Sequence, residues 1–383
     1  MRLALFLLSL CFFLACSPEK PFPTFDLKHE EPIGWNKKKA CTLEIDGESG
    51  KTILGARAKL RGGFSAKFYK HSFTIELESG QSLLGLPIND DWILNANYID
   101  KTMMRHKLAY DIFRDMAENN EAPRSAYVQL MVNSKYEGLY VLMEKVNAGY
   151  LGLNKKDSLA MLFKDPPVFR VEDKASVADT ANYFEQKYPK MKKKDHSSYL
   201  LELRELILTA DDDLFEKEIG SWVDLDNIID WHLFILFSNN GDGILKNFYL
   251  YKKDSATPFR VCLWDYDHSF GRDGDNELNM AERLADPERN ILLKRLKESN
   301  ANNYNERMKE RWQELRGSFY SEKYFLDLIE TNHSVIKNEA GKNFGRWPVD
   351  SEDYFDANSY EEELEILRTY FKKRIPELDA MFE

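Results

Sequence analysis

The chain has 383 residues, enough for one large domain or two ordinary ones. With 43% hydrophobic and 31% charged residues it is expected to bury a packed core. Its net charge of −11 excludes the basic footprint of a non-specific nucleic-acid binder.

Residues 1–16 have the pattern of a targeting signal. Arg2 precedes an apolar run over 3–15 that is too short to span a bilayer and ends at Ala15-Cys16-Ser17. A small residue before Cys is how a bacterial lipoprotein signal ends. Cys16 is therefore the expected lipidated N-terminus of a protein held on the cell envelope, facing the periplasm or the exterior; an ordinary cleaved signal peptide is the alternative. Pro18, Pro21 and Pro23 give residues 17–30 the character of a tether. Cys41 and Cys262 do not make a disulfide framework, and Cys262 lies in an apolar run that predicts a buried thiol.

Residues 31–167 read as strand-rich. Strands are expected over 40–45 and 53–60, around a Gly-rich turn at 46–50, and over 72–77, where apolar and polar residues alternate. Gly62-Gly63 lies between strands and would let backbone amides approach a ligand; a plain hairpin turn explains the pair as well. A helix follows, with Asp100 as its expected N-cap and Met103, Met104, Leu108, Ala109, Ile112 and Phe113 on its apolar face. Arg105 falls within that helix. A buried Arg must be paired, so it either holds a carboxylate or faces a ligand phosphate. Two strands over 127–132 and 138–143 flank a hairpin turn, and a third over 159–163 runs into Pro166-Pro167, an expected boundary.

Residues 168–383 read as a helical half. The polar stretch 168–197, with its Lys run at 190–194, is an expected solvated loop. Helices are predicted over 199–210, 225–237 (capped by Asp224), 290–297, 305–319, 323–333 and 360–381, with an acidic loop at 350–358. Amid these helices stands a hairpin, with strands expected over 248–251 and 259–264 around a turn at 252–258. The fold class is α+β with two lobes, strand-rich first and helix-rich second.

The hairpin is bracketed by Asp242, Asn247, Asp265 and Asp267. Antiparallel pairing would bring Asn247 beside Asp265 at its open end. Asp265 and Asp267, two apart on extended backbone, would face the same way, and like charges held that close need a cation or a shared proton. Mg²⁺ takes oxygen ligands of this type. Phosphoryl transfer from a nucleotide requires such a cation, a carboxylate near the incoming hydroxyl, and fixed cationic side chains on the phosphates. Protein kinases separate the catalytic Asp from a metal-binding Asn by four residues, as Asp242 and Asn247 are separated here. Lys246 would reach the transferred phosphate.

At this point the chain resembles the CotH kinase family. The resemblance rests on an ordered set running from Arg61 to Gly271: Arg61-Gly62, Lys70, Ser72-Phe73, Leu94-Asn95-Ala96, Asp100, Met104-Arg105, Leu108, Val132-Asn133, Glu137-Gly138-Leu139-Tyr140, Asn240, Asp242, Asn247-Phe248-Tyr249-Leu250-Tyr251 and Trp264-Asp265-Tyr266-Asp267. It implies an atypical kinase-like fold and transfer of phosphate from Mg-ATP (or Mn-ATP) to protein Ser or Tyr hydroxyls. Carried over, Asp242 is the catalytic Asp, Asp265 and Asn247 are metal ligands, and Asp267 is an additional one. Arg61, Lys70 and Arg105 are then candidate phosphate contacts. Two positions depart from the family pattern: His71 stands where a second Lys is usual, and His106 where Asn usually follows the Arg. A metal-dependent sugar-nucleotide transferase and a non-catalytic envelope or adhesion protein are the competing readings.

Overall fold

The computed structural model describes residues 21–47, 50–171, 184–272, 285–348 and 357–383. Residues 1–20, with Cys16, and most of the acidic loop lie outside them. Among the described residues no helix is long and apolar enough to cross a membrane.

Seven strands, β1 (Thr24–Lys28), β2 (Lys39–Gly47), β3 (Gly50–Arg61), β4 (Ser72–Gln81), β5 (Asn89–Asn95), β6 (Ser125–Val132) and β7 (Lys135–Glu144), close into a barrel in the order β1-β2-β3-β4-β5-β7-β6. All neighbours are antiparallel except the β1/β6 pair that seals it, in which Leu27 faces Val132 in parallel register. Alternate residues point inward, so Phe25, Leu43, Ala58, Ile75, Trp92, Leu94, Val128, Leu130, Tyr140 and Leu142 fill the interior as one apolar cluster. This is the main departure from the expected kinase-like two-lobed arrangement, since the first half is a closed barrel. It also recruits Thr24–Lys28, part of the expected tether, as a strand. The segment leading from Asp90, which the sequence reading leaves without a strand, is β5.

Closure has a consequence for the other half. Ile93, Tyr127, Leu139, Val141 and Met143 sit on the outer face of β5, β6 and β7 and belong to the second, larger core cluster. These strands are buried on both faces, and Leu139 to Met143 is accordingly an unbroken apolar run. Barrel and helices thus share a packed wall.

A second sheet, β11-β10-β8-β9, is formed by β8 (Met161–Lys164), β9 (Gln186–Tyr188), β10 (Phe248–Lys252) and β11 (Arg260–Leu263). The hairpin pairs Phe248 with Leu263 and Tyr251 with Arg260, as the sequence pattern predicts. Strand β8 was expected in the first half but pairs with β10, placing Phe163 opposite Leu250. Cys262 is a buried free thiol and Cys41 a half-buried one.

Around this sheet pack α1 (Arg105–Met116), α2 (Ser197–Thr209), α3 (Asp212–Trp222), α4 (Leu225–Ser238), α5 (Ile291–Ser299), α6 (Tyr304–Ser318), α7 (Glu322–Arg346) and α8 (Tyr360–Met381). Asp224 caps α4 by accepting from Asn227 N, and Ser359 with Glu362 forms a capping box on α8. Helix α3 carries only a weak sequence signal because its apolar stripe is narrow, with only Phe215 and Ile219 buried. Helix α1 starts at Arg105 rather than beside Asp100, because Met103 adopts a left-handed conformation (φ 58°).

Candidate metal and phosphate site

The site begins with α4. It is buried from Asn227 to Ser238, and it ends at Asn239, whose left-handed conformation (φ 53°) turns the chain out of the core. The loop that follows is fastened to the far end of the hairpin. Asn240 Oδ1 accepts from Gly243 N at 2.8 Å, and Asn240 Nδ2 donates to Ser269 Oγ at 3.2 Å. A Cβ at Gly243 would lie 2.6 Å from the Tyr266 hydroxyl, so only glycine fits. Asp242 opens the short 3₁₀ turn Asp242–Ile244, and its exposed carboxylate pairs with Lys246 at 2.9 Å. Both line an open cleft of about 530 Å³ with Arg170 and Arg289, whose cationic character suits an anionic group.

The open end of the hairpin brings Asn247 to Asp265 as expected. Asn247 Nδ2 donates to Asp265 O at 2.8 Å, and Trp264 N donates to Asn247 O at 3.0 Å. Asn247 is itself in the left-handed region (φ 63°) and is held there by Asp165, whose Oδ1 accepts from Asn247 N at 2.7 Å. Lys164 pairs with Asp165 at 3.1 Å. Neither residue was singled out in the sequence, where Lys164-Asp165 reads only as the end of a strand.

Asp265 and Asp267 do converge, though not by strand alternation. Strand β11 ends at Leu263, and Asp265 kinks into the left-handed region (φ 60°) while its N–H donates to the Tyr110 hydroxyl at 3.0 Å. The third member of the cluster is His106, the position that departs from the family pattern. One ligand atom from each of His106, Asp265 and Asp267 lies within 4.8 Å of the others. Buried beneath them, His106 presents Nε2 to Asp265 Oδ1 at 3.4 Å.

Electrostatics fit this arrangement. Surrounding protein works to raise the Asp265 pKa, but the hydrogen bond and charge of His106, then the charges of Arg61 and Lys164, outweigh it and hold the carboxyl well below its usual range. The side chain keeps 56% of its surface open, so the carboxylate can be reached from solvent. Burial works to lower the His106 pKa, and Asp267 and Asp265 overcome it, so the pKa is raised. Two carboxylates and an imidazole converge here, and oxygen and nitrogen donors are the kinds of ligand a divalent ion takes.

The expected phosphate contacts divide. Arg61, at the end of β3, lies over the Trp264 ring at 5.5 Å and is within 3.4 Å of Asn95 Oδ1, and its charge is among those that act on Asp265. Lys70 is placed elsewhere. It is 2% exposed, donates to Ala96 O at 2.7 Å and Leu139 O at 2.5 Å, and lies over the Tyr140 ring. Desolvation depresses its pKa well below the usual value, with Glu137 acting in the opposite direction. Gly138 permits this burial, since a Cβ there would meet Lys70 Cε at 3.0 Å. Arg105 holds carboxylates instead of facing a ligand. It is 1% exposed and bonded to Asp100 at 2.7 Å, to Ser269 O at 3.0 Å and to Glu363 at 3.4 Å. Arg272 also pairs with Glu363, so this network ties the loop after Asp267 to both α1 and α8. Lys246 remains exposed beside Asp242.

The chain matches the family described as CotH kinase protein over residues 58–378. It is similar to the inner spore coat protein H of Bacillus subtilis (strain 168), at 28% identity over 244 residues. That alignment covers 62% of this chain and 64% of the relative, so the chain matches less than two thirds of the relative's length. The family match spans the barrel wall, the hairpin and the helices around them, and on that extent the chain belongs to the CotH kinase protein family.

Proposed function

We propose that this protein is a metal-dependent phosphotransferase that moves the γ-phosphate of ATP to Ser or Tyr hydroxyls of a protein in the cell envelope. The observation that carries this reading is the convergence of His106, Asp265 and Asp267 at the hairpin end, with Arg61 and Asn247 beside them. A divalent ion bound there would neutralise phosphate charge. Asp265 and Asp267 would hold it together with Asn247, and Arg61 would bind phosphate oxygens from the barrel side.

In the transfer, the acceptor hydroxyl oxygen bonds to the γ-phosphorus and the bond from that phosphorus to the β,γ-bridging oxygen breaks. ADP leaves, and the hydroxyl proton passes to the Asp242 carboxylate. Lys246, paired with Asp242 at 2.9 Å, would follow the moving phosphoryl group. Neither Lys70 nor Arg105 has a part in this scheme, because both are buried and spent on protein partners. The envelope address and a lipid anchor at Cys16 rest on the apolar leader alone.

The test is transfer of labelled γ-phosphate to protein, with autophosphorylation as the simplest readout. Asp242→Asn should retain metal-dependent nucleotide binding and lose transfer by about 10²–10⁴-fold, the usual contribution of a general base. Undiminished transfer by that variant overturns the assignment of Asp242.

A further inference from the structure

His106 stands at the N-terminal end of α1, directly after Arg105, and its side chain is 3% exposed. The Arg105 network fixes the backbone at this point: Asp100 Oδ2 accepts from Arg105 N at 2.8 Å. The ring is tilted against Tyr110 at 5.7 Å, and Nδ1 is buried with no hydrogen-bond partner among the described residues. Packing therefore orients the imidazole, and its Nε2 edge faces the two carboxylates. The 3.4 Å from Nε2 to Asp265 Oδ1 is long for a charge-assisted hydrogen bond. It is close to the separation of two donors on adjacent positions of one cation, which bonds of about 2.1 Å place roughly 3 Å apart.

We propose that His106 is itself a ligand of the cation at Asp265 and Asp267, and that it makes this site prefer an imidazole-binding divalent transition metal, with Mn²⁺ as the probe, over Mg²⁺. The inference rests on the metal site of the proposed function but not on phosphate transfer. An all-oxygen set suits the hard Mg²⁺ ion, whereas an imidazole nitrogen shifts preference toward the first-row transition series. Asn at this position would offer an amide oxygen and restore the all-oxygen set. His106 is thus the side chain that would distinguish the metal preference of this chain from that of a relative with Asn there.

The experiment uses the full chain without nucleotide. Mn²⁺ is titrated while free ion is followed by electron paramagnetic resonance, Mg²⁺ affinity is measured by competition, and the bound Mn²⁺ is examined by electron spin echo modulation. Wild-type protein should show the ¹⁴N modulation of a coordinated imidazole, and His106→Asn should lose it. In that variant Mn²⁺ affinity should fall by at least the roughly 10–100-fold that loss of a mere supporting partner costs, and the preference for Mn²⁺ over Mg²⁺ should fall with it. The wild-type spectrum needs no variant to fold, and His106→Gln serves as a second substitution. Bound Mn²⁺ without nitrogen modulation, or no Mn²⁺ binding at all, overturns the proposal. An unchanged preference in both variants does the same. Phosphate transfer with Mg²⁺ in a protein lacking the nitrogen signal would refute this inference and leave the proposed function standing, whereas the signal without transfer would do the reverse.

Discussion

Replacing Arg105 with Met separates the two roles that its sequence position allows. The guanidinium is 1% exposed and bonds Asp100 at 2.7 Å, Glu363 at 3.4 Å and the carbonyl of Ser269 at 3.0 Å. Met fills similar space without charge, so the loss is mainly electrostatic. Removing one partner of a buried ion pair costs about 3–5 kcal/mol, because the other charge stays buried and uncompensated. Glu363 keeps Arg272, and Asp100 keeps Thr102 Oγ1 at 2.6 Å and Arg105 N at 2.8 Å, which places the expected cost near the lower end, about 3 kcal/mol. Urea unfolding measures this as a lowered midpoint with unchanged slope. Metal affinity should fall as well, since Ser269 lies two residues beyond Asp267 and loses its anchor to α1. Arg105→Lys should recover only part of the loss, because one ammonium cannot span three acceptors in fixed directions. Wild-type stability within about 0.5 kcal/mol, combined with selective loss of nucleotide binding, would refute the reasoning and return Arg105 to the phosphates.

Three more outcomes are expected. Gly243→Ala, whose Cβ would lie 2.6 Å from the Tyr266 hydroxyl, should cost about 1–3 kcal/mol in urea unfolding, and adding Tyr266→Phe should recover part of it. His232 is buried with its Nδ1 3.0 Å from the Tyr304 hydroxyl oxygen, and burial pushes its pKa down to about 3. The unfolded chain therefore binds this proton first as pH falls below about 6.5, so stability should decline by up to about 1.4 kcal/mol per pH unit, and His232→Asn should flatten the stability-versus-pH curve by one proton over that range. Saturating Mn²⁺ at about 100 times its dissociation constant should raise stability by about 2.7 kcal/mol in wild type, and Asp265→Asn should abolish that gain in a thermal or urea melt.

The hairpin and its acidic bracket were legible because they depend on short-range rules. Aromatic and β-branched runs around a polar turn fix β10 against β11, and pairing then forces Asn247 toward Asp265. Helix α4 was legible from its cap and apolar spacing, and α8 from its spacing alone. Barrel closure was not, since it depends on β1 meeting β6 across a hundred residues of chain, and Thr24–Lys28 is short enough to pass for tether. Lys70 looked like a phosphate ligand because type and order in sequence carry no burial, and for Arg105 the sequence leaves open whether a carboxylate or a phosphate pairs with it. The structure assigns one to backbone carbonyls and the other to Asp100 and Glu363. His106 had the opposite fate. It registered only as a departure from a family pattern, and its signal as a ligand appeared once α1 was set against the turn at Asp265. Asp165 could not be found in advance, because holding Asn247 N requires β8 to lie beside β10.

The most direct measurement is calorimetric titration of a non-hydrolysable ATP analogue into the full chain, with Mn²⁺ or Mg²⁺ and with the metal chelated, in wild type and Asp265→Asn. Saturable binding that requires the metal and disappears in the variant is the predicted result. Binding of equal strength without metal, or no binding under any condition, would contradict a metal-dependent phosphotransferase site at Asp265.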